Sequence, residues 1–363
     1  MIRVLLDGLT KRYDRVAVVD GANLEVRPGD FTIVVGPSGA GKTTLSRLIA
    51  GLETPDEGEV YFDGQPLGTV PPSERRVGLV FQDDALWPHL SVAENLSYGL
   101  RIRRIARLER RVRVAEVLNH LQIDSLADRY PGTLHSLQRL RVSLARALIG
   151  DPAILVIDEP FGPFDERARV QVRETLRRLH VEAETTTLVL TSDPREAMAL
   201  ADRLAVLDLG RIVQVGPPIE VYQRPADAFV AQFLGPTNLI QGQLESDDAR
   251  GEAVVRTPIG RLIGQAPSIP LPAGTPVTVA IRPESLELGP TVPSGSNRFA
   301  ATLERQVFLG ETRRVSLRGP GDWPVTALAL SSQSSGLREG QSLTVSVPPA
   351  LVVILPSKFA PIP

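Results

Sequence analysis

FTIVVGPSGAGKTT, residues 31–44, joins a run of apolar and β-branched residues to a glycine-rich turn and the start of a helical segment. Gly36, Gly41, Lys42 and Thr43 have the spacing G-x-x-x-x-G-K-[ST]. In this pattern the glycines let backbone N–H groups turn inward, and the following helix N-terminus adds positive potential, so the turn can hold phosphate. We therefore predict a buried strand, a phosphate-binding turn and a helix from Lys42. The predicted phosphate contacts are Gly36, Pro37, Ser38, Gly39, Ala40, Gly41, Lys42, Thr43 and Thr44.

Two carboxylates stand at the end of another apolar run, in ILVIDEPF at residues 154–161. Ligands of open α/β sheets bind at the carboxyl ends of the strands, which is where Asp158 and Glu159 are predicted to lie. Asp158 is suited to the hydration shell of Mg²⁺, and Glu159 is suited to orient and polarise an attacking water. The two residues therefore complement the phosphate-binding turn.

The chain changes character at about residue 235. Before it, short apolar runs such as VGLVF (77–81) and TLVLT (187–191) alternate with helical segments, which indicates a mostly parallel sheet covered by helices. After it, proline and glycine become frequent and short alternating strands appear, as in GEAVVRT and PVTVAIR. This second part is predicted to be a separate all-β domain of the small barrel type.

Composition narrows the function classes. The chain has 363 residues, with 40 Lys and Arg against 42 Asp and Glu, and this balance argues against binding nucleic acid through bulk charge. It has no cysteine, which excludes disulfides and thiolate metal sites, and its four histidines lack the spacing of metal ligands. No apolar run of about eighteen residues exists, and the first residues do not read as a signal peptide, so we expect a cytoplasmic protein.

Taken in order, these motifs resemble those of the ATP-binding cassette (ABC) subunit of bacterial importers, in the subgroup with a C-terminal oligonucleotide-binding-like (OB-like, TOBE) domain. VGLVFQDDALWPHLSVAEN resembles the glutamine loop of the family and places that glutamine at Gln82. Tyr13, in TKRYDRVAVVDGANLEV, matches the aromatic residue that stacks on adenine. PTNLI, AIRPESLEL and VFLGETRRVSLRG resemble landmarks of the tail domain.

The resemblance implies an α/β P-loop NTPase fold, with a RecA-like core and a helical subdomain, followed by an all-β OB-like barrel. We expect an ABC ATP-binding domain over residues 1–235, its helical subdomain over about 85–150, and a regulatory or dimerisation domain over 236–363. It also implies ATP and Mg²⁺ as ligands, the metal being held by Thr43 and Gln82 and, through water, by Asp158.

Two motifs depart from the family pattern. The signature turn L-S-G-G-Q, whose N–H groups contact the γ-phosphate bound by a partner subunit, is replaced here by Leu134, His135, Ser136, Leu137 and Gln138. The switch histidine is replaced by Ser192, in LVLTSDPREAM, and we interpret this segment mainly as a helix N-cap followed by proline in the first turn. The implied catalytic set is therefore Glu159, Lys42, Gln82 and a degenerate position at Ser192.

A third departure lies at the implied dimer seam, where Gly162-Pro163-Phe164-Asp165 replaces the usual Ser-Ala-Leu-Asp. Asp165 has two interpretations that the sequence leaves open. It either pairs across the seam or caps the helix that begins at Glu166.

The resemblance implies the ATP-binding subunit of a solute importer, an ATP hydrolase whose turnover is weakened by Ser192 and the LHSLQ turn. Its partners would be a second copy or another cassette subunit, an integral-membrane permease and, indirectly, an extracytoplasmic solute-binding protein, with no nucleic acid. It would lie peripherally on the cytoplasmic face of the cell membrane. The alternative is a regulatory or structural pseudo-ATPase that stabilises a permease or a partner cassette without powering transport.

Overall fold

The computed structural model describes residues 1–247, 251–267, 269–289, 297–332, 334 and 336–357. The chain divides into two compact units, Met1–Pro218 and Ile219–Pro363. The division comes earlier than the change in composition between residues 235 and 236 from which the domains were predicted. Among the described residues, no helix is long and apolar enough to cross a membrane.

The first unit contains a six-stranded sheet, a four-stranded sheet and the helices packed on them. Its strands are β1 (Val4–Tyr13), β2 (Val16–Val26), β3 (Phe31–Val35), β4 (Glu57–Phe62), β5 (Gln65–Pro66), β6 (Val77–Val80), β7 (Ile154–Asp158), β8 (Thr186–Thr191), β9 (Arg203–Asp208) and β10 (Arg211–Gly216). Its helices are α1 (Lys42–Ala50), α2 (Val92–Ile102), α3 (Arg107–His120), α4 (Ser136–Leu148), α5 (Glu166–Glu182) and α6 (Pro194–Leu200).

The six-stranded sheet has the order β10-β9-β3-β8-β7-β6, and only β10 joins its neighbour antiparallel. Every residue of β3, β7 and β8 is buried, as expected for parallel strands covered on both faces. The carboxyl ends of these strands meet at one edge of the sheet. That edge collects the phosphate-binding turn after β3, the Asp158-Glu159 pair at β7, Ser192 after β8 and Gln82 after β6.

The four-stranded antiparallel sheet, in the order β2-β1-β4-β5, was not predicted from the sequence. Its buried residues share a core with α1 and with the parallel sheet, and this core includes Leu6, Val60, Leu45, Ile49 and Val34. The helix that follows the phosphate-binding turn is thus held between two sheets, which fixes its N-terminus.

Helices α2, α3 and α4 occupy the range predicted for the helical subdomain. Helix α2 begins with a capping box, in which the Ser91 side chain accepts from the N–H of Glu94 and the Glu94 carboxylate accepts from the N–H of Ser91. Such caps satisfy N–H groups that the helix itself leaves without partners.

The second unit combines a closed barrel, β11-β12-β13-β20-β14, with a five-stranded sheet, β15-β19-β16-β17-β18. The predicted barrel is confirmed, and the two sheets share one apolar core. The strands are β11 (Asn238–Asp247), β12 (Glu252–Thr257), β13 (Gly260–Gln265), β14 (Pro276–Ile281), β15 (Glu287–Leu288), β16 (Asn297–Phe308), β17 (Thr312–Arg318), β18 (Pro324–Leu330), β19 (Ser342–Val347) and β20 (Val352–Pro356).

Two short helices, α7 (Pro218–Gln223) and α8 (Ala228–Leu234), explain the early division between the units. Arg282, just after β14, donates to the carbonyl oxygens of Tyr222 at 3.1 Å, Ala231 at 2.7 Å and Gly235 at 2.9 Å. Its guanidinium also lies 3.9 Å from the centroid of the Tyr222 ring. One side chain therefore attaches both helices to the β-rich unit.

Candidate functional site

The turn between β3 and α1 requires glycine at several positions. Gly39 and Gly41 have φ values of 83° and 102°, a left-handed conformation that side chains disfavour. A Cβ atom at Gly36 would lie 2.4 Å from the carbonyl oxygen of Leu207, and one at Gly41 would lie 2.4 Å from that of Val18. The turn can therefore keep its close backbone path only with glycine at these positions.

Lys42, the first residue of α1, folds back over this turn. Its Nζ donates to the carbonyl oxygens of Gly36 at 2.9 Å and Pro37 at 3.0 Å, and it lies 3.1 Å from Oε1 of Glu159. The residue is only 5% exposed. An ammonium group has three donors, so all three are engaged, and the positive charge is held at the mouth of the turn.

Asp158 and Thr43 form a donor set that fits a hard divalent cation. Asp158 is buried and its Oδ1 has no hydrogen-bond partner. Burial raises the pKa of Asp158 above its ordinary value, while a hydrogen bond with Thr43 acts in the opposite direction. A buried carboxylate oxygen without a partner, beside a hydroxyl group and a phosphate-binding turn, is the oxygen chemistry that Mg²⁺ selects.

Glu159 is held firmly at the end of β7. Its Oε2 accepts from the backbone N–H of Ser192 at 2.9 Å and from the Ser192 hydroxyl at 3.1 Å, while Oε1 faces Lys42. Its backbone N–H donates to the carbonyl oxygen of Leu190 at 2.8 Å, and its φ is 48°. A glutamate in the left-handed region costs about 1 kcal/mol or more, so the surrounding bonds maintain a strained backbone at this position.

The segment after β8 confirms one interpretation and adds a contact that sequence reasoning missed. Asp193 is the N-cap of α6, its carboxylate accepts two N–H groups of the first turn, and Pro194 follows it, as predicted. Ser192 itself does more than precede a cap, because both of its donors are used on Glu159. The two residues are 33 positions apart in the chain, so no local signal could have linked them.

Gln82 lies at the same edge of the parallel sheet, and Tyr13 lies near Thr44 of the phosphate-binding turn. Tyr13 ends β1 and is 43% exposed, and its hydroxyl donates to Glu53. An exposed ring next to that turn can stack on a base. Gln82 is exposed and follows β6, the strand beside β7.

The signature turn has a different construction. Leu134 is buried, exposed His135 is the N-cap of α4, and the N–H of His135 donates to Oε1 of Gln138 at 3.2 Å. Ser136 begins the helix, and half-buried Leu137 helps line a cleft of about 270 Å³. The turn thus presents side chains where the family pattern has glycine backbone.

Arg139 joins this turn to the loop after Gln82. It donates to the Leu134 carbonyl oxygen at 2.8 Å and to Ser136 Oγ at 3.2 Å, and its Nε lies 3.3 Å from Oδ2 of Asp84. Burial raises the pKa of Asp84, and its hydrogen bond with Arg139 acts in the opposite direction.

Two further residues of α4 bind the same loop. The hydroxyl of Ser143 and the guanidinium of Arg146 both donate to the Asp84 carbonyl oxygen, at 3.1 and 2.8 Å, and Arg146 also donates to that of Ala85. The signature helix and the glutamine loop therefore share four hydrogen bonds through Arg139, Ser143 and Arg146 within one chain.

Asp165 is observed in one of its two predicted roles. It is the N-cap of α5, and its Oδ1 accepts from the N–H of Ala168 at 2.9 Å. Pairing across a dimer seam stays a prediction.

Comparison with known proteins agrees with this geometry. The ABC transporter family matches residues 19–162, and the TOBE domain matches residues 279–355. A glycerol-3-phosphate import ATP-binding protein, UgpC 2 of Rhizobium johnstonii, is 41% identical and covers 96% of this chain and 95% of its own length. A spermidine/putrescine import ATP-binding protein, PotA of Rubrobacter xylanophilus, is 38% identical over 95% of this chain and 91% of its own.

A third relative is a sulfate/thiosulfate import ATP-binding protein, CysA of Gloeobacter violaceus, which is 39% identical over 85% of this chain and 82% of its own. Among solved structures, the dimeric cassette MJ0796, in a post-hydrolysis state bound to ADP and Pi, has a TM-score of 0.54 and 30% identity. It covers 59% of this chain and 98% of its own.

These similarities confirm the predicted α/β P-loop fold of the first part and the β-rich TOBE domain of the second. They give no support to the pseudo-ATPase alternative, since the relatives are import subunits. The chain belongs to the ABC transporter family and is the ATP-binding, ATP-hydrolysing subunit of an importer.

Proposed function

We propose that this chain binds ATP together with Mg²⁺ in its phosphate-binding turn and hydrolyses it slowly, as the engine of a separate membrane permease. The observation that carries the proposal is a contrast. In the nucleotide's own subunit, Lys42 is paired with Glu159 and the neighbouring Asp158 keeps a buried oxygen without a partner, while the signature turn offers His135 and Leu137 to the nucleotide of a partner.

The binding half of the proposal rests on residues that stand at one strand edge. Bound Mg²⁺ would neutralise phosphate charge, held by Thr43 and Gln82 and, through water, by Asp158. Tyr13 would stack on the base. Lys42 would donate to the β- and γ-phosphate oxygens in place of its present contact with Glu159.

The same exchange of partners by Lys42 also frees Glu159 to act as the general base. When Lys42 turns to phosphate, Oε1 of Glu159 becomes free to accept a hydrogen bond from the attacking water. Oε2 stays fixed by the two donors of Ser192. The carboxylate then takes the proton as the water attacks the γ-phosphorus and the bond to the leaving oxygen breaks.

Slow turnover follows from donors that are missing or misplaced. Removing one preorganised donor to a transition-state oxyanion commonly costs about a hundredfold in rate. Here the hydroxyl of Ser192 donates to Glu159, and the serine side chain is shorter than that of the histidine found at this position in the family. In the signature turn, the side chain of Leu137 stands where backbone would have to approach phosphate closely.

The deficits divide differently in the two possible dimers. In a homodimer, both composite sites lack the switch histidine and the glycine signature. In a heterodimer with an intact cassette, this chain's phosphate-binding turn faces a good signature but has Ser192, and the partner's turn faces His135 and Leu137. Neither dimer has one wholly intact site.

The remaining partners are proposed from the family. An integral-membrane permease would contact the loop after Gln82 at the cytoplasmic face of the membrane, and an extracytoplasmic binding protein would deliver the solute. The named relatives import an organophosphate, polyamines and sulfur oxyanions, three chemical classes, so the solute of this chain is not assigned.

The experiment is titration calorimetry with Mg-ATP on the purified full-length protein, followed by phosphate release under saturating ATP. We expect clear binding and a kcat about a hundredfold below that of a relative with an intact signature and histidine. Glu159→Gln should abolish the residual turnover and keep binding. A kcat equal to the intact relative, abolished by Glu159→Gln, refutes slow hydrolysis, and absence of heat on adding Mg-ATP refutes the binding site.

A further inference from the structure

Helix α5 carries three arginines spaced four residues apart, so they share one face of the helix. Each one pairs with a carboxylate of the segment that contains α6. The pairs are Arg169 with Asp193 at 2.6 Å, Arg173 with Glu196 at 2.8 Å and Arg177 with Asp202 at 3.0 Å. All three hold α5 to this segment, and the first pair lies next to Ser192.

Arg169 differs from the other two because it holds two turns at once. Its guanidinium donates to Oδ2 of Asp193 and, through Nε at 3.0 Å, to the carbonyl oxygen of Phe164. Phe164 belongs to the turn at residues 162–165, which precedes α5 at the implied dimer seam. Both ends of the Arg169–Asp193 pair are about three-quarters buried, so solvent weakens it less than an exposed pair.

The contacts of Asp193 connect the Arg169–Asp193 pair to Glu159, the proposed general base. The N–H of Asp193 donates to Oγ1 of Thr191 at 3.1 Å, and its Oδ1 caps α6. Ser192 lies between these two anchored residues, and its N–H and hydroxyl hold Glu159. The place of Ser192 is thus set by Asp193, and the place of Asp193 by Arg169.

We propose that Arg169 is a positioning residue for hydrolysis, which fixes the turn at Ser192 against the turn at 162–165 and so aims the two hydrogen bonds that Ser192 donates to Glu159. This inference rests on the proposed function, because it takes Glu159 as the base. It assigns Arg169 no contact with nucleotide. Its role is to keep the carboxylate in place once Lys42 has turned away.

The test compares Arg169→Met with a matched control, Arg177→Met, in the full-length protein. Each change removes one arginine of the same face and one ion pair to the α6 segment, but only Arg169 contacts the two turns. We expect Arg169→Met to lower kcat about tenfold with an ATP affinity by calorimetry within about twofold of the original, since small misplacement of a reacting group is costly. Arg177→Met should change kcat by less than about twofold.

A double-variant comparison separates positioning from general loosening. Ser192→Ala removes the hydroxyl bond to Glu159 and keeps the backbone N–H bond. If Arg169 acts through Ser192, Arg169→Met should therefore lower kcat by a smaller factor in the Ser192→Ala background than in the original protein, because part of the same constraint is already gone. Arg177→Met combined with Ser192→Ala should show multiplied effects. Equal kcat values for the two methionine variants, or multiplied losses for Arg169→Met with Ser192→Ala, would overturn the proposal.

A second measurement needs no turnover and no nucleotide. Amide hydrogen exchange of peptides that cover residues 190–194 should speed up in Arg169→Met and stay unchanged in Arg177→Met, and Arg169→Lys should lie between the original and the methionine variant. Unchanged exchange in Arg169→Met would contradict the inference. Failure of the original protein to bind Mg-ATP would instead refute the proposed function. The exchange measurement would still test whether Arg169 fixes the segment at Ser192.

Discussion

The phosphate-binding turn and the signature turn both lead into the N-terminus of a helix, yet the first presents mainly backbone there and the second presents side chains. Helix α1 begins after Gly41, which is left-handed and gives no side-chain cap, so the first N–H groups stay available to a ligand. Helix α4 begins after His135, whose extended backbone is bonded to Gln138, and it presents Leu137 in its first turn. In this chain, the N-terminus of α1 therefore offers backbone N–H groups to an anion, whereas that of α4 also presents the side chain of Leu137.

The largest test of this contrast removes the charge from the first turn. Lys42→Ala should weaken Mg-ATP binding by on the order of a hundredfold, because charge-assisted hydrogen bonds to two phosphates are lost. Calorimetry measures it. Arg211→Ala, which removes an exposed arginine paired with Asp20, is the charge control and should alter affinity less than about threefold. Similar losses in both variants would mean that net charge, and not the turn, holds the nucleotide.

The next test rebuilds the second turn. Replacing His135 with Ser and both Ser136 and Leu137 with Gly should raise kcat by about tenfold or more, because backbone N–H groups then reach a partner's γ-phosphate. Two glycines in the first turn of α4 should also lower stability by about 1–2 kcal/mol. Phosphate release measures the first effect and thermal unfolding the second. Lower stability without faster release would show that the turn is not what limits hydrolysis.

A smaller effect is expected at the base-binding end of the first site. Tyr13→Ala should weaken ATP binding about tenfold, since stacking of a base on an aromatic ring contributes about 1–3 kcal/mol. Tyr13→Phe keeps the ring and loses only the bond to Glu53, so its affinity should stay within about twofold. Calorimetry on the two variants separates ring from hydroxyl. Equal losses would show that the bond to Glu53 matters and the ring does not.

The smallest effect concerns His180, which packs against Phe31 at the start of β3, the strand that leads into the phosphate-binding turn. His180 is buried, its Nδ1 lies 3.0 Å from Oγ1 of Thr187, and its ring is 5.2 Å from that of Phe31, where β3 begins. Burial chiefly, and then the charge of Arg177, lower the pKa of His180. The unfolded chain therefore binds the extra proton first, so this residue makes stability fall as pH drops through the ordinary pKa of histidine, about 6.5.

Thermal unfolding of His180→Gln tests whether His180 lowers the stability of the protein as the pH drops. The variant should lose less Tm than the original between about pH 8 and about pH 5, by about 2–4 °C, because glutamine does not titrate there. His120→Gln is the control, since that side chain is partly exposed and lies in α3. A larger acid loss in His180→Gln than in the original would contradict the sign.

The first turn was predictable because its signals are local. FTIVV, ILVID and the helix from Lys42 are observed with the predicted bounds, since a buried apolar run and a glycine turn specify strand and turn within a few residues. The departures from the family pattern at residues 135–137 and 192 were visible in the sequence for the same reason, because they lie within short motifs.

Contacts between distant parts of the chain were not predictable. The antiparallel sheet of β1, β2 and β4 depends on pairing between Val4 and Phe62. The sequence of neither strand indicates this partner. The bond of Ser192 to Glu159 and the hold of Arg282 on α7 and α8 likewise join positions far apart in sequence. Such contacts are set by tertiary packing, which the local sequence pattern does not encode.

The bonds of Arg139, Ser143 and Arg146 to the 84–85 segment have a mechanical consequence. A pull on that segment is transmitted to the start of α4 over the length of single side chains, so loop and helix move as one stiff lever. Under the proposed function, this connection would still couple the permease to the cassette even if the substitutions in the signature turn and at Ser192 slow hydrolysis.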